Sequence, residues 1–421
     1  MPSLKRESAL LVAGEAVNRG SRFLLLLLIA RQAGAEDFGA WVIAVGVATF
    51  VTGVCDAGIG TVVTREIASQ PSLVAAYVRT LRRYLPLLLV TGTILVATAG
   101  FLFDATSHAW LILLLGFGGV LEVAGIFLLS AHRGMQALRQ EGLIRLAEAI
   151  LFVVGAGVVF LALDGSPLAM ALVYLLGGVL FAGLASLAVQ RRFGSILWQG
   201  DSLPLKRLWS AALPILLANV VFFLYLRADA VLLALLKGSV ETGLYGAAYN
   251  FVFGAVFIPY TVSRGLLPRF AACQPGVDLR RAYFRYTGLV VAFLALSSVA
   301  LLLIVPLFRV VYGSEFQEAE EPYRILVGAF FLIGLTTLNY AVLFSQGRST
   351  VAFGIASAGL TTNVVANLVL IPDLAATGAA LSMILSEVVV LSAQAVALTQ
   401  LMSSSSERHT RAVESHTKTA A

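Results

Sequence analysis

The sequence predicts an all-α integral membrane protein of about twelve transmembrane helices in two six-helix lobes. Three observations predict it. Of 421 residues, 59% are hydrophobic and 12% charged, with a mean hydropathy of +0.91; a soluble domain carries roughly twice that charge. The apolar residues fall in runs of about twenty, the length a helix needs to cross ~30 Å of hydrocarbon. Leu, Ala, Val and Gly dominate these runs without period-2 alternation, which selects helices over barrel strands.

Charged residues and turn formers divide the runs into twelve spans, at residues 10–33, 38–61, 84–104, 109–131, 144–164, 167–190, 209–236, 242–267, 285–308, 323–346, 349–371 and 376–401. The first follows Lys5 and Arg6 and is too long for a signal-peptide core, so it reads as a retained span. It carries Glu15, Asn18, Arg19 and Arg22, whose spacings of three, four and seven line one helical face. The second holds Asp56, then Gly58 and Gly60, small residues that let a neighbour approach. The third follows Arg79, Arg82 and Arg83. Glu122 in the fourth span and Glu148 in the fifth read as partners for basic residues within the first lobe. The glycines at 116–119 and at 177 and 178, in the fourth and sixth, read as helix packing. The seventh carries Asn219, Arg227 and Asp229, and the eighth has Arg264 near its end. The ninth begins at Arg285. The tenth follows an acidic cluster of Glu315, Glu318, Glu320 and Glu321. Asn363 and Asn367 sit one turn apart in the eleventh, and Glu387 lies deep in the twelfth.

Alternating the sides of successive loops places twenty-one of the 29 Lys and Arg on one face and four on the other. The positive-inside rule then predicts both termini in the cytoplasm, in a multi-pass protein of the cytoplasmic membrane. The chain also aligns with itself at an offset of 204. Gly34-Ala-Glu-Asp-Phe-Gly39-Ala-Trp41 falls on Gly238-Ser-Val-Glu-Thr-Gly243-Leu-Tyr245, and Arg65 falls on Arg269. With six spans per copy, the two halves share one orientation and are related by an axis along the membrane normal. The expected division is a lobe at 1–192, a linker at 193–207, a second lobe at 208–402 and a disordered tail at 403–421.

An Arg at a helix centre costs roughly 2.5–3.5 kcal/mol, so each of those in the spans needs a reason. Glu15 and Arg19 are spaced for an i,i+4 pair. Arg22, Arg227 and Arg264 favour an anionic group, since an arginine fork binds phosphate through two parallel hydrogen bonds. Asp56 reads as a charge partner or an ion site, and Glu387 as a second candidate for ion coupling. Trp41, Phe222, Phe223, Tyr225, Tyr245 and Tyr249 are placed to stack on a sugar or prenyl group, or to pack. Cys55 and Cys273 form no disulfide framework, and the four histidines are too scattered for a metal site. No cofactor is implied. Phosphate-loop, HExxH and GxSxG patterns are absent, so an enzyme is not expected.

The motif Gly34–Trp41, followed by Asp56-Ala-Gly58 and Thr64-Arg65-Glu66-Ile67-Ala68, resembles the opening of the polysaccharide-unit (Wzx-like) flippases. That is the polysaccharide transporter family of the multidrug/oligosaccharidyl-lipid/polysaccharide flippase superfamily. Arg227-Ala-Asp229, Gly243–Asn250, Gln346-Gly347-Arg348, Asn363, Asn367, Leu370-Ile-Pro372 and Gly378-Ala-Ala380 extend the resemblance over nearly the whole chain. The resemblance implies a fold like that of the MATE transporters. It implies a flippase that moves a polyprenyl-diphosphate-linked oligosaccharide to the outer leaflet by alternating access. It places substrate binding on Asn18, Arg22, Arg227, Asp229 and, near the membrane edge, Arg264. The partners it implies are the lipid-linked glycan, membrane lipids and polysaccharide polymerases, with no nucleic acid. The alternative reading is a proton- or sodium-coupled multidrug or metabolite exporter of the same superfamily.

Overall fold

A computed structural model describes residues 2–102, 109–194, 201–203 and 205–418. Its α-helices are α1 (Pro2–Asp56), α2 (Ile59–Ser69), α3 (Val74–Leu102), α4 (Ala109–Gly134), α5 (Arg139–Ala162) and α6 (Pro167–Phe193). There follow α7 (Leu205–Lys237), α8 (Ser239–Ala271), α9 (Val277–Leu303), α10 (Val305–Tyr312), α11 (Glu320–Ser345) and α12 (Ser349–Lys418). Among the described residues there is no strand. The end of the span read at 84–104, residues 195–200 and 204 of the expected linker, and the last three residues of the expected tail lie outside the described residues.

Among the described residues, ten segments are apolar and long enough to cross a membrane. Two of them, Ala9–Ser69 and Ser349–Ser403, run to 61 and 55 residues. At ~1.5 Å per residue each is more than twice as long as the hydrocarbon is thick. Each is broken near its middle, at Gly34 (φ 76°, ψ 178°) and at Ala375 (φ 46°, ψ −126°). Each therefore makes two crossings, which gives the twelve that the apolar runs predicted. The protein is an all-α, multi-pass membrane protein.

The helices form two compact units, residues 1–234 with 238–243, and residues 235–237 with 244–421. Residues 201–203, in the segment read as a linker, lie along α3. Arg79 Nε donates to the Asp201 carbonyl at 2.8 Å, and Leu203 N donates to Thr80 Oγ1 at 2.9 Å. The segment from Ser403, read as a disordered tail, continues α12 as helix to Lys418.

In the first unit, missing side chains bring four helices close. A Cβ on Gly178 of α6 would overlap the Gly118 carbonyl of α4, and one on Gly14 of α1 would sit 2.7 Å from the Gly142 oxygen of α5. The two copies of the repeated motif also meet there. Gly34 and Gly238 both take positive φ, 76° and 85°, to turn the chain between its first and second and its seventh and eighth crossings. A Cβ on Gly39 would overlap the Ser239 carbonyl, and one on Gly243 would overlap the Ala35 carbonyl. At the offset of 204, Ala35 corresponds to Ser239 and Gly39 to Gly243. The contact is therefore reciprocal within the first unit.

In the second unit, Phe308, Tyr312, Phe316 and Tyr323 pack as one buried aromatic group. The Tyr323 hydroxyl donates to the Leu301 carbonyl at 2.9 Å and closes α11 onto α9.

Candidate functional site

The polar stripe of α1 meets α4, α5 and α6 in a network of ion pairs. Arg22 Nη2 donates to Glu122 Oε2 at 2.7 Å and to Glu148 Oε1 at 2.8 Å. Its Nη1 donates to the Tyr174 hydroxyl at 3.0 Å and its Nε to Asn18 Oδ1 at 3.1 Å. Arg145 Nη1 bridges the other oxygens of the same two carboxylates, Glu122 Oε1 at 2.6 Å and Glu148 Oε2 at 3.0 Å. Asn18 Nδ2 adds a bond to Glu148 Oε2 at 2.9 Å. Arg145 Nε lies 3.2 Å from Glu15 Oε1, and Glu15 reaches Arg19 at 3.7 Å, the i,i+4 pair that the spacing predicted. The guanidinium of Arg22 also faces the rings of Phe152 and Tyr174, 5.0 and 5.2 Å from their centroids.

Three arginines (19, 22, 145) thus face three glutamates (15, 122, 148), and the cluster is formally neutral. Neutrality is what permits it inside hydrocarbon, since an unmatched buried ion costs several kcal/mol. All four oxygens of Glu122 and Glu148 accept from arginine or Asn18, so the cluster is an ion-pair network rather than a metal cage. It is graded in exposure. The Glu148 and Arg145 side chains are 0% and 6% exposed, Glu122 17% and Arg22 26%. Glu15 and Arg19, at 35% and 65%, form its exposed rim, and among the four inner residues the Arg22–Glu122 pair is the more open side.

The other sequence candidates are dispersed. Asp229 is fully buried in α7, its Oδ1 accepting from the Ala230 amide at 2.8 Å, and Arg227 is half-buried two residues before it. Arg264 is exposed and lies over the Tyr260 ring at 4.7 Å. Asp56 ends α1 at the turn into α2 and is half-buried. Glu387 is buried in α12 and accepts from Thr336 Oγ1 at 2.8 Å. Of the aromatic candidates, Trp41, Tyr245 and Tyr249 are buried packing residues, and the side chain of Phe222 lies outside the described residues. The structure therefore brings Asn18 and Arg22 together, with partners from three further helices.

Residues 4–274 match the family described as polysaccharide biosynthesis protein. The chain belongs to this polysaccharide biosynthesis protein family. Among individual relatives, an uncharacterized membrane protein of Methanocaldococcus jannaschii, MJ1375, is 22% identical over 411 residues, which is 92% of this chain and 95% of that protein. In fold, the chain is similar to the lipid II flippase MurJ in an inward closed conformation (TM-score 0.67, 14% identity, 91% of this chain and 87% of that one). It is also similar to an inward-facing multidrug resistance MATE family transporter of the MOP superfamily (TM-score 0.69, 13% identity, 90% and 94%). A third similar structure is a MOP superfamily transporter from Pyrococcus furiosus, described as having a binding pocket of reversed polarity (TM-score 0.60, 15% identity, 94% and 96%). The resemblance read from the local motifs is thus a family relation, and the expected fold is the one found.

For this member of the polysaccharide biosynthesis family, the sequence had marked α1 but not the whole cluster. Arg145 stands at the very start of the expected fifth span, whereas α5 begins at Arg139 and carries Arg145 inward. Tyr174 gave no signal, one aromatic in an apolar run. Gly14 and Gly142 let α1 and α5 approach closely beside Arg145, a Cβ on Gly14 lying 2.7 Å from the Gly142 oxygen and 3.3 Å from the Arg145 Cβ.

Proposed function

We propose that the protein is a flippase rather than an enzyme. It carries a polyprenyl-diphosphate-linked oligosaccharide from the cytoplasmic to the outer leaflet of the cytoplasmic membrane by alternating access, with both termini in the cytoplasm. Asn18, Arg22, Arg227, Asp229 and Arg264 serve the substrate, and Asp56 and Glu387 are the candidates for ion coupling. The observation that carries this reading is Arg22, a guanidinium held within an apolar helix of a polysaccharide biosynthesis family member, where its Nη2 binds the anionic oxygens of two carboxylates. Transfer outward would be helped by an inside-negative potential, at about 2.3 kcal/mol per charge per 100 mV. Arginines inside the spans suit an anionic headgroup, which can take the place of the carboxylates they bind.

The test is transfer of a fluorescent polyprenyl-diphosphate oligosaccharide between leaflets of proteoliposomes. Arg22→Lys keeps the positive charge that the cluster needs but loses the planar fork; Arg227→Gln removes a charge elsewhere. Each is expected to slow transfer at least tenfold with folded protein retained. Wild-type transfer by the double variant would overturn the assignment of the site.

A further inference from the structure

The deepest candidate anion ligand, Arg22, is not free to bind an anion in the conformation described. Four of its five N–H groups are committed, two of them to carboxylates and one each to Tyr174 and Asn18. A phosphate arriving at this fork meets Glu122 or Glu148 already there. The two carboxylates differ in what they lose by giving way. Glu148 is fully buried and is held at once by Arg22, Arg145 and Asn18. Glu122 divides its oxygens between the same two arginines, Oε2 on Arg22 and Oε1 on Arg145 at 2.6 Å, but it has no bond from Asn18 and is 17% exposed, so it has room to move away from Arg22. If Oε2 leaves Arg22, Oε1 still has a cation, so Glu122 is not stranded as an unpaired charge in the membrane.

We propose that Glu122 is a displaceable counter-ion, occupying the phosphate position of Arg22 at rest and yielding it to the diphosphate of the substrate. Arg145 is its holding residue, retaining Glu122 while Arg22 turns its fork to phosphate. Both act as positioning residues through Arg22. The exchange makes and breaks only ion pairs. Its consequence is selectivity: an anion must out-compete a carboxylate held at 2.7 Å, which a diphosphate, with one charge on each of two adjoining phosphates, does better than a single carboxylate or a single phosphate group. Acidic phospholipids of the surrounding bilayer are then rejected. This inference rests on the reading of Arg22 as a phosphate ligand.

The experiment is equilibrium binding of farnesyl diphosphate to the full-length protein in detergent, with farnesyl monophosphate and farnesol as comparisons. Glu122→Gln, which keeps shape but removes the competing charge, is expected to bind farnesyl diphosphate about tenfold tighter and to discriminate less against the monophosphate. Damage to the fold would weaken binding, so tightening separates displacement from a structural role. Glu122→Asp provides a second variant that keeps the charge but draws it back from Arg22, and an intermediate tightening is expected. If Arg22→Lys abolishes wild-type binding but both Glu122 variants bind no tighter than wild type, displacement is overturned and the role of Arg22 stands. If Arg22→Lys leaves binding intact, the phosphate site itself is misplaced and the inference falls with it.

Discussion

In the first unit the polar cluster buried between α1, α4, α5 and α6 is built on arginines and glutamates, with Asn18 and Tyr174 beside them. In the second, those between α9, α11 and α12 are amides, hydroxyls and one carboxyl. There the Tyr283 hydroxyl donates to Asn339 Oδ1 at 2.9 Å, Asn339 Nδ2 to Gln394 Oε1 at 3.1 Å, and Gln394 Nε2 to the Thr336 carbonyl at 3.1 Å. Thr336 Oγ1 then reaches Glu387 Oε2 at 2.8 Å. The sequence has no Lys or Arg between Arg324 and Arg348, nor between Arg348 and Arg408, so α11 and α12 bring no cation into this ladder. Both units face the same physical demand, since every polar group removed from water must find a partner. A chain of neutral partners can lose a link and lose only that link. A neutral cluster of ions cannot, because one deletion leaves an excess charge shared by everything that remains. The comparison separates a unit that is tightly constrained by charge balance from one that tolerates substitution.

The most severe way to break the first unit is Glu148→Ala. It removes the partner shared by Arg22, Arg145 and Asn18 and leaves a net positive charge at a fully buried position. Loss of one member of a buried pair costs about 3–5 kcal/mol. The expected outcome, read by thermal unfolding in detergent, is a large fall in midpoint with most of the protein aggregated. The matching cut in the second unit is Asn339→Leu, which deletes two hydrogen bonds and strands Gln394 Oε1. Interhelical hydrogen bonds in membranes are worth about 0.6 kcal/mol on average, with a maximum near 1.7, so a loss of about 1–2 kcal/mol is expected. Equal losses for the two variants would erase the distinction between the units.

The sequence allowed the crossings to be counted, because each is a run of apolar residues bounded by charge. It allowed the first and seventh breaks to be placed, because Gly34 and Gly238 recur at a fixed offset and a positive φ suits glycine. The break at Ala375 was legible only as a gap between runs. No glycine marks its positive φ of 46°, and Pro372, three residues earlier, is the sole local hint. The cluster divides in the same way. Asn18 and Arg22 showed themselves because they share a helical face, which periodicity reveals. Glu122 and Glu148 each stand alone in their spans, so sequence could name them as partners but not say whose. Which arginine each carboxylate meets depends on how closely the helices approach, and that is set by backbone contacts at Gly14 with Gly142 and Gly118 with Gly178. The pairings of Arg22 with Glu122 and Glu148 join residues 100 and 126 positions apart, beyond any local pattern.

The smallest expected effect sharpens the comparison most. Tyr174 touches Arg22 in two ways, by its hydroxyl at 3.0 Å from Nη1 and by its ring at 5.2 Å from the guanidinium carbon. Tyr174→Phe removes the first and keeps the second. It changes no charge, so the balance among the three arginines and three glutamates is intact. Arg22 is also the partly exposed member, and its Nη1 can take a replacement partner at the open side of the cluster. A loss of about 0.5–1 kcal/mol is expected, close to an ordinary hydrogen bond and far below Glu148→Ala. Tyr174→Leu removes the ring as well and adds about 0.5–1 kcal/mol for the cation–π contact. If thermal unfolding ranks Tyr174→Phe beside Glu148→Ala, the first unit is held by the geometry of its hydrogen bonds rather than by charge balance, and it then differs from the second only in which atoms are used.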